Sequence, residues 1–196
     1  MTAPIPFSDS MRPDTGFTNG RLGMWLFLAS EVMLFGGLFS SYVILRTGSP
    51  NWPEGGLNIV TASVNTIVLI VSSFTMARAA AASRDAQSGR YRSLLSISLA
   101  LGVVFLAIKG YEYAEHLAHG EYPSVNNALA MYFTLTGFHA LHILGGLLAM
   151  LYLIGPGSTL RRTQPVLFAN RVDNTTLYWH FVDVVWLCLF VTLYVV

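Results

Sequence analysis

The sequence predicts an all-α fold, an integral membrane bundle of five transmembrane helices with the N-terminus cytoplasmic and the C-terminus periplasmic. Three observations carry that expectation. Only 11% of the 196 residues are charged and 54% are hydrophobic, against about a quarter charged in a soluble globular domain. Five stretches stay apolar over the roughly 20 residues a helix needs to cross the hydrocarbon core. Nine of the eleven Lys and Arg residues fall in segments that five crossings would place on one side.

The elements follow in chain order. Residues 1–21 are polar and form a cytoplasmic N-terminal segment; with no charged-then-apolar leader, no cleavable signal peptide is expected. One domain, 22–196, holds the five helices at about 22–45, 57–80, 93–113, 128–154 and 175–196. The first carries Gly36, Gly37, Ser40 and Ser41 at small-xxx-small spacing, and the second repeats Asn58, Thr61, Asn65 and Ser72 on one face. Such residues let helices approach closely and hydrogen-bond across their interface. Gly, Pro, Asn and charge fill the gaps, which read RTGSPNWPEGG, ARAAAASRDAQSGRYR, EHLAHGEYPSVNN and GPGSTLRRTQPVLFANRVDN.

Orientation follows from the cations. Arg12 and Arg21 precede the first helix, Arg78, Arg84, Arg90 and Arg92 surround the second gap, and Arg161, Arg162 and Arg171 lie in the fourth. Arg46 and Lys109 fall on the other side, with Glu54, Glu112, Glu115 and Glu121. Positive charge stays in the cytoplasm.

Several function classes find no support. Net charge is +1 with no basic tract, so no nucleic-acid partner is expected. Cys188 is alone and forms no internal disulfide, and P-loop, GxSxG and HExxH patterns are absent, so no catalytic residue is assigned. The five histidines do not give the three or four convergent ligands of a metal site.

Four titratable residues lie deep in the apolar stretches. A charge at the bilayer centre costs about 2.5–3.5 kcal/mol on insertion scales, so such residues usually face a protein interior. At ~1.5 Å rise per residue, Glu31 lies ~14 Å and Asp183 ~12 Å from the cytoplasmic ends of their helices. On the same scale His142 lies ~18 Å and His139 ~22 Å deep, with His180 shallower. His139 and His142, like His180 and Asp183, are spaced i,i+3 and expected on a shared face. Glu31 is expected to face this polar layer, protonated or hydrogen-bonded to a histidine or hydroxyl of another helix. Lys109 and Glu112 read as a local i,i+3 pair near the outer surface, the lysine stem snorkelling outward. Tyr42, Trp52, Tyr111, Tyr113 and Tyr122 suggest an interfacial aromatic belt there. Arg161 and Arg162 read as inside-positive charges that can also grip lipid phosphates.

Three stretches are more specific: RLGMWLFLASEVMLFGGLFSSY (21–42), TGFHALHILGGL (136–147) and YWHFVDVVWLCLFVTLY (178–194). From about Arg21 to its end the chain resembles subunit III of the haem-copper respiratory oxidases. The resemblance implies a non-catalytic role. Subunit I of such a complex holds the haems and copper and reduces oxygen to water while pumping protons. Subunit III packs against it, stabilises it in turnover, supports proton uptake and holds phospholipid in a cleft proposed as an oxygen route. No cofactor is implied in this chain beyond bound phospholipid. Subunit I is the main partner, with subunit II and a small subunit IV beside it. Glu31, His139, His142, Trp179, His180 and Asp183 match the family's motif positions. Trp179 joins Arg161 and Arg162 as a lipid-binding candidate. Long members have seven helices and this chain lacks the first two, which fits the short form of the bacterial inner membrane. Two other readings stand beside this one: an accessory protein of nitric oxide reductase, and a small proton or solute transporter, for which no internal repeat is visible.

Overall fold

The computed structural model describes residues 10–50, 52–53, 57–84 and 89–195. The first nine residues of the N-terminal segment, Glu54 on the expected outer side and Val196 at the end of the last expected span lie outside the described residues.

Five long helices are each apolar enough to cross a membrane. Helix α1, Asn19–Gly48, opens on the Thr18 side chain, which accepts from the Arg21 amide. Helix α2, Ile59–Ser83, opens on Asn58, whose carboxamide oxygen accepts from the Val60 and Thr61 amides at 3.1 Å each. Asn58 therefore caps the helix and does not join the packing face expected of it. Helix α3 spans Arg90–Ala118. Helix α4, Asn127–Ile154, is capped by Asn126, which accepts from Leu129 at 2.8 Å. A 3-10 turn at Pro156–Thr159 and one helical turn at Leu160–Thr163 lead into helix α5, Pro165–Phe190. Proline suits that first position because its missing N–H would have no partner there. A π-helical turn, Val191–Val195, continues α5. Among the described residues there is no strand.

The helices outrun the apolar stretches that announce them, and α5 does so most. Its first turns carry Asn170, Arg171, Asp173 and Asn174. These polar turns are tied to neighbours at the bundle end: Arg171 donates to the Tyr152 hydroxyl at 2.6 Å, and Arg84 at the end of α2 donates to Asp173 at 2.7 Å. In the segment before α1, Arg12 grips Asp14 through two hydrogen bonds of 2.9 and 2.8 Å, holding that carboxyl down at about 2.

Helix α2 packs on α3 and α5, α4 packs on α3 and α5, and α1 lies outermost against α4 and α5. Only Leu28, Phe35 and Tyr42 of α1 are buried, a narrow stripe recurring every seven residues. Its small residues face away from the bundle. Ser40 and Ser41 return their hydroxyls to the Gly36 and Gly37 carbonyls at 2.8 and 2.9 Å, and a side chain at either glycine would touch nothing. The close approach occurs elsewhere, between α2 and α3. There Ser72 donates to the Ser98 carbonyl at 3.1 Å, and Thr75 and Ser98 share a hydroxyl bond of 2.7 Å.

Candidate functional site

Glu31 on α1 meets His142 on α4. Their Oε2 and Nε2 atoms lie 2.9 Å apart, and each side chain is 14% exposed. The other ring nitrogen, Nδ1, sits 2.7 Å from the Phe138 carbonyl oxygen. A carbonyl only accepts, so Nδ1 carries a proton. One further proton is then shared between Glu31 and Nε2, held either as a carboxylic acid donating to the ring or as an imidazolium donating to a carboxylate. Either arrangement is neutral overall, which is what a low-dielectric layer demands of buried groups. Phe35 packs edge-on to the imidazole at 5.1 Å, and the Tyr178 hydroxyl donates to the His142 carbonyl at 2.8 Å. The expected interhelical partner for Glu31 is thus present.

The remaining polar residues do not join this pair in one seam. His139, one turn away on α4, turns into the core. It stacks on Trp186 at 5.3 Å with Phe105 edge-on at 5.7 Å, and neither ring nitrogen has a hydrogen-bond partner. The i,i+3 spacing gave His139 and His142 neighbouring but different faces. His180 and Asp183 do share one, lining an open groove of about 460 Å3 between α2 and α5. Ser73 Oγ and His180 Nδ1 lie 2.6 Å apart. Asp183 is 9% exposed, with Ser73 beside its carboxyl group.

The most connected polar cluster is one that sequence reasoning read as trivial. Lys109 does pair with Glu112, at 3.0 Å, but it does not snorkel outward: the two side chains are 6% and 5% exposed. The Lys109 ammonium also donates to the Tyr132 and Tyr194 hydroxyls at 3.0 and 2.8 Å. Both hydroxyls donate in turn to Glu112 Oε1, at 2.5 and 2.7 Å. The rings of Tyr113, Tyr132, Trp186 and Tyr194 surround the ammonium at 5.0–5.6 Å, within cation–π range. A signal was available. The buried stripe of α3 runs Leu95, Ser98, Gly102, Phe105, Lys109, Glu112, His116, alternating three and four, so the charged pair continues an inward face. His116, next on that stripe, hydrogen-bonds Glu121.

The expected aromatic belt is only partly surface. Tyr111 and Tyr122 are exposed, but Tyr42 is buried with Trp52 edge-on at 5.5 Å, and Tyr113 bonds Thr136 at 2.6 Å. Arg162 is exposed on the turn before α5, and the Arg161 guanidinium lies 4.5 Å over the Tyr91 ring. Trp179 is fully buried, its indole N–H donating to Ser72 at 3.2 Å, so its lipid-binding assignment is corrected: the ring is enclosed by α2, α3 and α4 and offers lipid no surface.

Among the described residues no three His, Cys, Asp or Glu side chains group as they would around a metal ion. The fold and these sites define a multi-pass membrane protein with neutralised polar pairs at membrane depth. The family model for cytochrome c oxidase subunit III matches residues 14–196. Cytochrome c oxidase subunit 3 of Synechocystis sp. is 39% identical over 179 residues, 88% of this chain and 73% of that one. The Corynebacterium diphtheriae protein of the same name is 37% identical over 99% of this chain and 98% of its own. Cytochrome bo(3) ubiquinol oxidase subunit 3 of Pseudomonas aeruginosa is 32% identical over 90% and 84%. The chain belongs to the cytochrome c oxidase subunit III family, which implies partner oxidase subunits.

Proposed function

We infer that the chain is the non-catalytic subunit III of a bacterial haem-copper terminal oxidase. It packs against subunit I, beside subunit II and a small subunit IV, in the inner membrane, with its N-terminus cytoplasmic and its C-terminus periplasmic. The partner subunits hold haem and copper and pass electrons from cytochrome c or a quinol to oxygen. This chain stabilises them and supports proton uptake and access of lipid and oxygen, with Arg161 and Arg162 contributing to phospholipid binding at the basic end.

The observation that carries the reading is the Glu31–His142 pair, which shares one proton between two helices at membrane depth while staying neutral. Such a pair holds α1 on the bundle and can pass its proton between carboxyl and imidazole at no cost in net charge.

The test is Glu31→Ala in the intact oxidase complex. Haem content of the purified complex is expected to match the parent, while proton pumping falls and inactivation during turnover quickens. Loss of haem from an otherwise assembled complex would overturn the non-catalytic role. Oxygen consumption by the same preparation separates an oxidase from a nitric oxide reductase assembly.

A further inference from the structure

We propose that the cavity at the end of the bundle opposite Arg161 and Arg162 holds the headgroup of an ethanolamine phospholipid, its ammonium on Glu121 and its phosphate on Arg46. The site is separate from the phospholipid contacts at the basic end. It rests on membrane crossing and not on which complex the chain joins.

The cavity measures about 530 Å3, inside the roughly 300–1,000 Å3 usual for small-ligand sites. Helix ends surround it. Arg46 sits in the last turn of α1, Glu121 lies just past the end of α3, and Asn126 caps α4. Helix α1 has 30 residues, ~45 Å by helical rise, which spans a bilayer with its headgroups and not the hydrocarbon core alone. The cavity therefore lies at headgroup depth, and Trp52 on its wall is a residue type enriched there.

The wall presents both signs of charge. Arg46 Nη1 donates to the Tyr42 hydroxyl at 2.9 Å, and that hydroxyl donates to the Thr192 carbonyl at 3.0 Å, so the guanidinium is held in place. A guanidinium carries five N–H donors and takes phosphate oxygens two at a time. Glu121 is held by its hydrogen bond to His116, yet its side chain is 46% exposed. A carboxylate only accepts, so a positively charged N–H donor is its complement. Inorganic phosphate, or a headgroup with phosphate and no amine, would meet Arg46 but be repelled by Glu121. A metal ion or a simple amine would meet the reverse. The ethanolamine phosphate ester carries one charge of each sign a few bonds apart and adds no net charge to the cavity. Val43, one turn below Arg46 and 54% exposed, offers its acyl chains an apolar track into the surrounding lipid.

The test uses the whole purified complex in vesicles of equal phosphatidylethanolamine and phosphatidylglycerol. A photo-crosslinking residue replaces Leu57 on the cavity wall or, as the comparison, Val125, which is 58% exposed and does not line the cavity. Adducts at Leu57 are expected to favour phosphatidylethanolamine about fivefold, the scale of a half-exposed ion pair, while those at Val125 follow the vesicle composition. Glu121→Gln should abolish that preference and keep the total. Arg46→Gln should lower the total roughly tenfold, as loss of a charge-assisted hydrogen bond does. Phosphatidylcholine, whose ammonium has no N–H, should show no preference in place of phosphatidylethanolamine. Adducts at Leu57 in the vesicle proportion, or with polypeptide alone, overturn the proposal. So does a preference that survives Glu121→Gln. Loss of the lipid adducts on adding free O-phosphoethanolamine marks a soluble ligand and overturns the lipid assignment. If either variant fails to assemble, the Leu57 and Val125 ratios in the otherwise parent chain decide by themselves.

Discussion

Lys109→Met is expected to destabilise the folded chain by about 3–5 kcal/mol, the cost of removing one partner of a buried ion pair. Methionine fills nearly the same space, so the loss is electrostatic and not a cavity. Without the ammonium, Glu112 keeps only the Tyr132 and Tyr194 hydroxyls on Oε1, and its Oε2 already lacks a partner. The four rings around Lys109 would also lose the cation they face. The double change Lys109→Met with Glu112→Gln is expected to recover most of the loss. Glutamine stays neutral and its oxygen still accepts from both tyrosines, so the coupling in the cycle should be large for residues in such contact. Thermal unfolding of the purified complex, followed by loss of this chain from it, reads both variants. If Lys109→Met were as stable as the parent, the lysine would have to reach solvent, and the buried network would be wrong.

The contrast between this cluster and the Glu31–His142 pair shows what a sequence can disclose. The five helices were legible because membrane crossing imposes one strong rule, about 20 apolar residues, on each. Their polar ends were not, because α5 continues through Asn170, Arg171, Asp173 and Asn174 on an Arg84–Asp173 ion pair and an Arg171–Tyr152 hydrogen bond that hydropathy ignores. Glu31 was legible because an acid amid ten apolar or small residues needs a partner, and depth alone confined the choice to a few residues. Lys109 was misplaced because an i,i+3 spacing to Glu112 offered a complete local explanation near the end of a span. Only the two tyrosines from α4 and the π-helical turn, distant in sequence, make the pair buried. His139 was misread for a related reason: residues three apart lie about 60° apart around a helix, enough to turn one imidazole to α1 and the other to Trp186. Spacing gives the neighbourhood on a helix, and packing decides which neighbour is faced.

The glycine stripe of α1 and the tryptophan of α5 make the same point with a second large effect. Trp179→Ala is expected to cost about 3–5 kcal/mol, as truncation of a buried aromatic ring does. The ring sits between two helices that approach it only because they lack Cβ atoms. A Cβ on Gly146 would lie 2.6 Å from two atoms of the indole, and one on Gly102 would lie 2.9 Å from the ring and 2.7 Å from Leu147. The ring cannot swing clear without giving up its hydrogen bond to Ser72, which is itself bonded to Ser98 across the α2–α3 contact. Gly146→Ala should therefore destabilise by about 1–3 kcal/mol as overpacking, even though alanine is the better helix former. Gly36→Ala and Gly37→Ala, which meet nothing within the chain, should instead leave its stability unchanged or raise it by up to about 1 kcal/mol. Trp179→Phe placed in the Gly146→Ala chain should restore part of the loss, since the smaller ring leaves room for the methyl group. Unfolding temperatures of the five variants in the purified complex measure the pattern. Equal behaviour of Gly146→Ala and Gly36→Ala would mean that the ring moves freely and that the α3–α4–α5 contact is not built around Trp179.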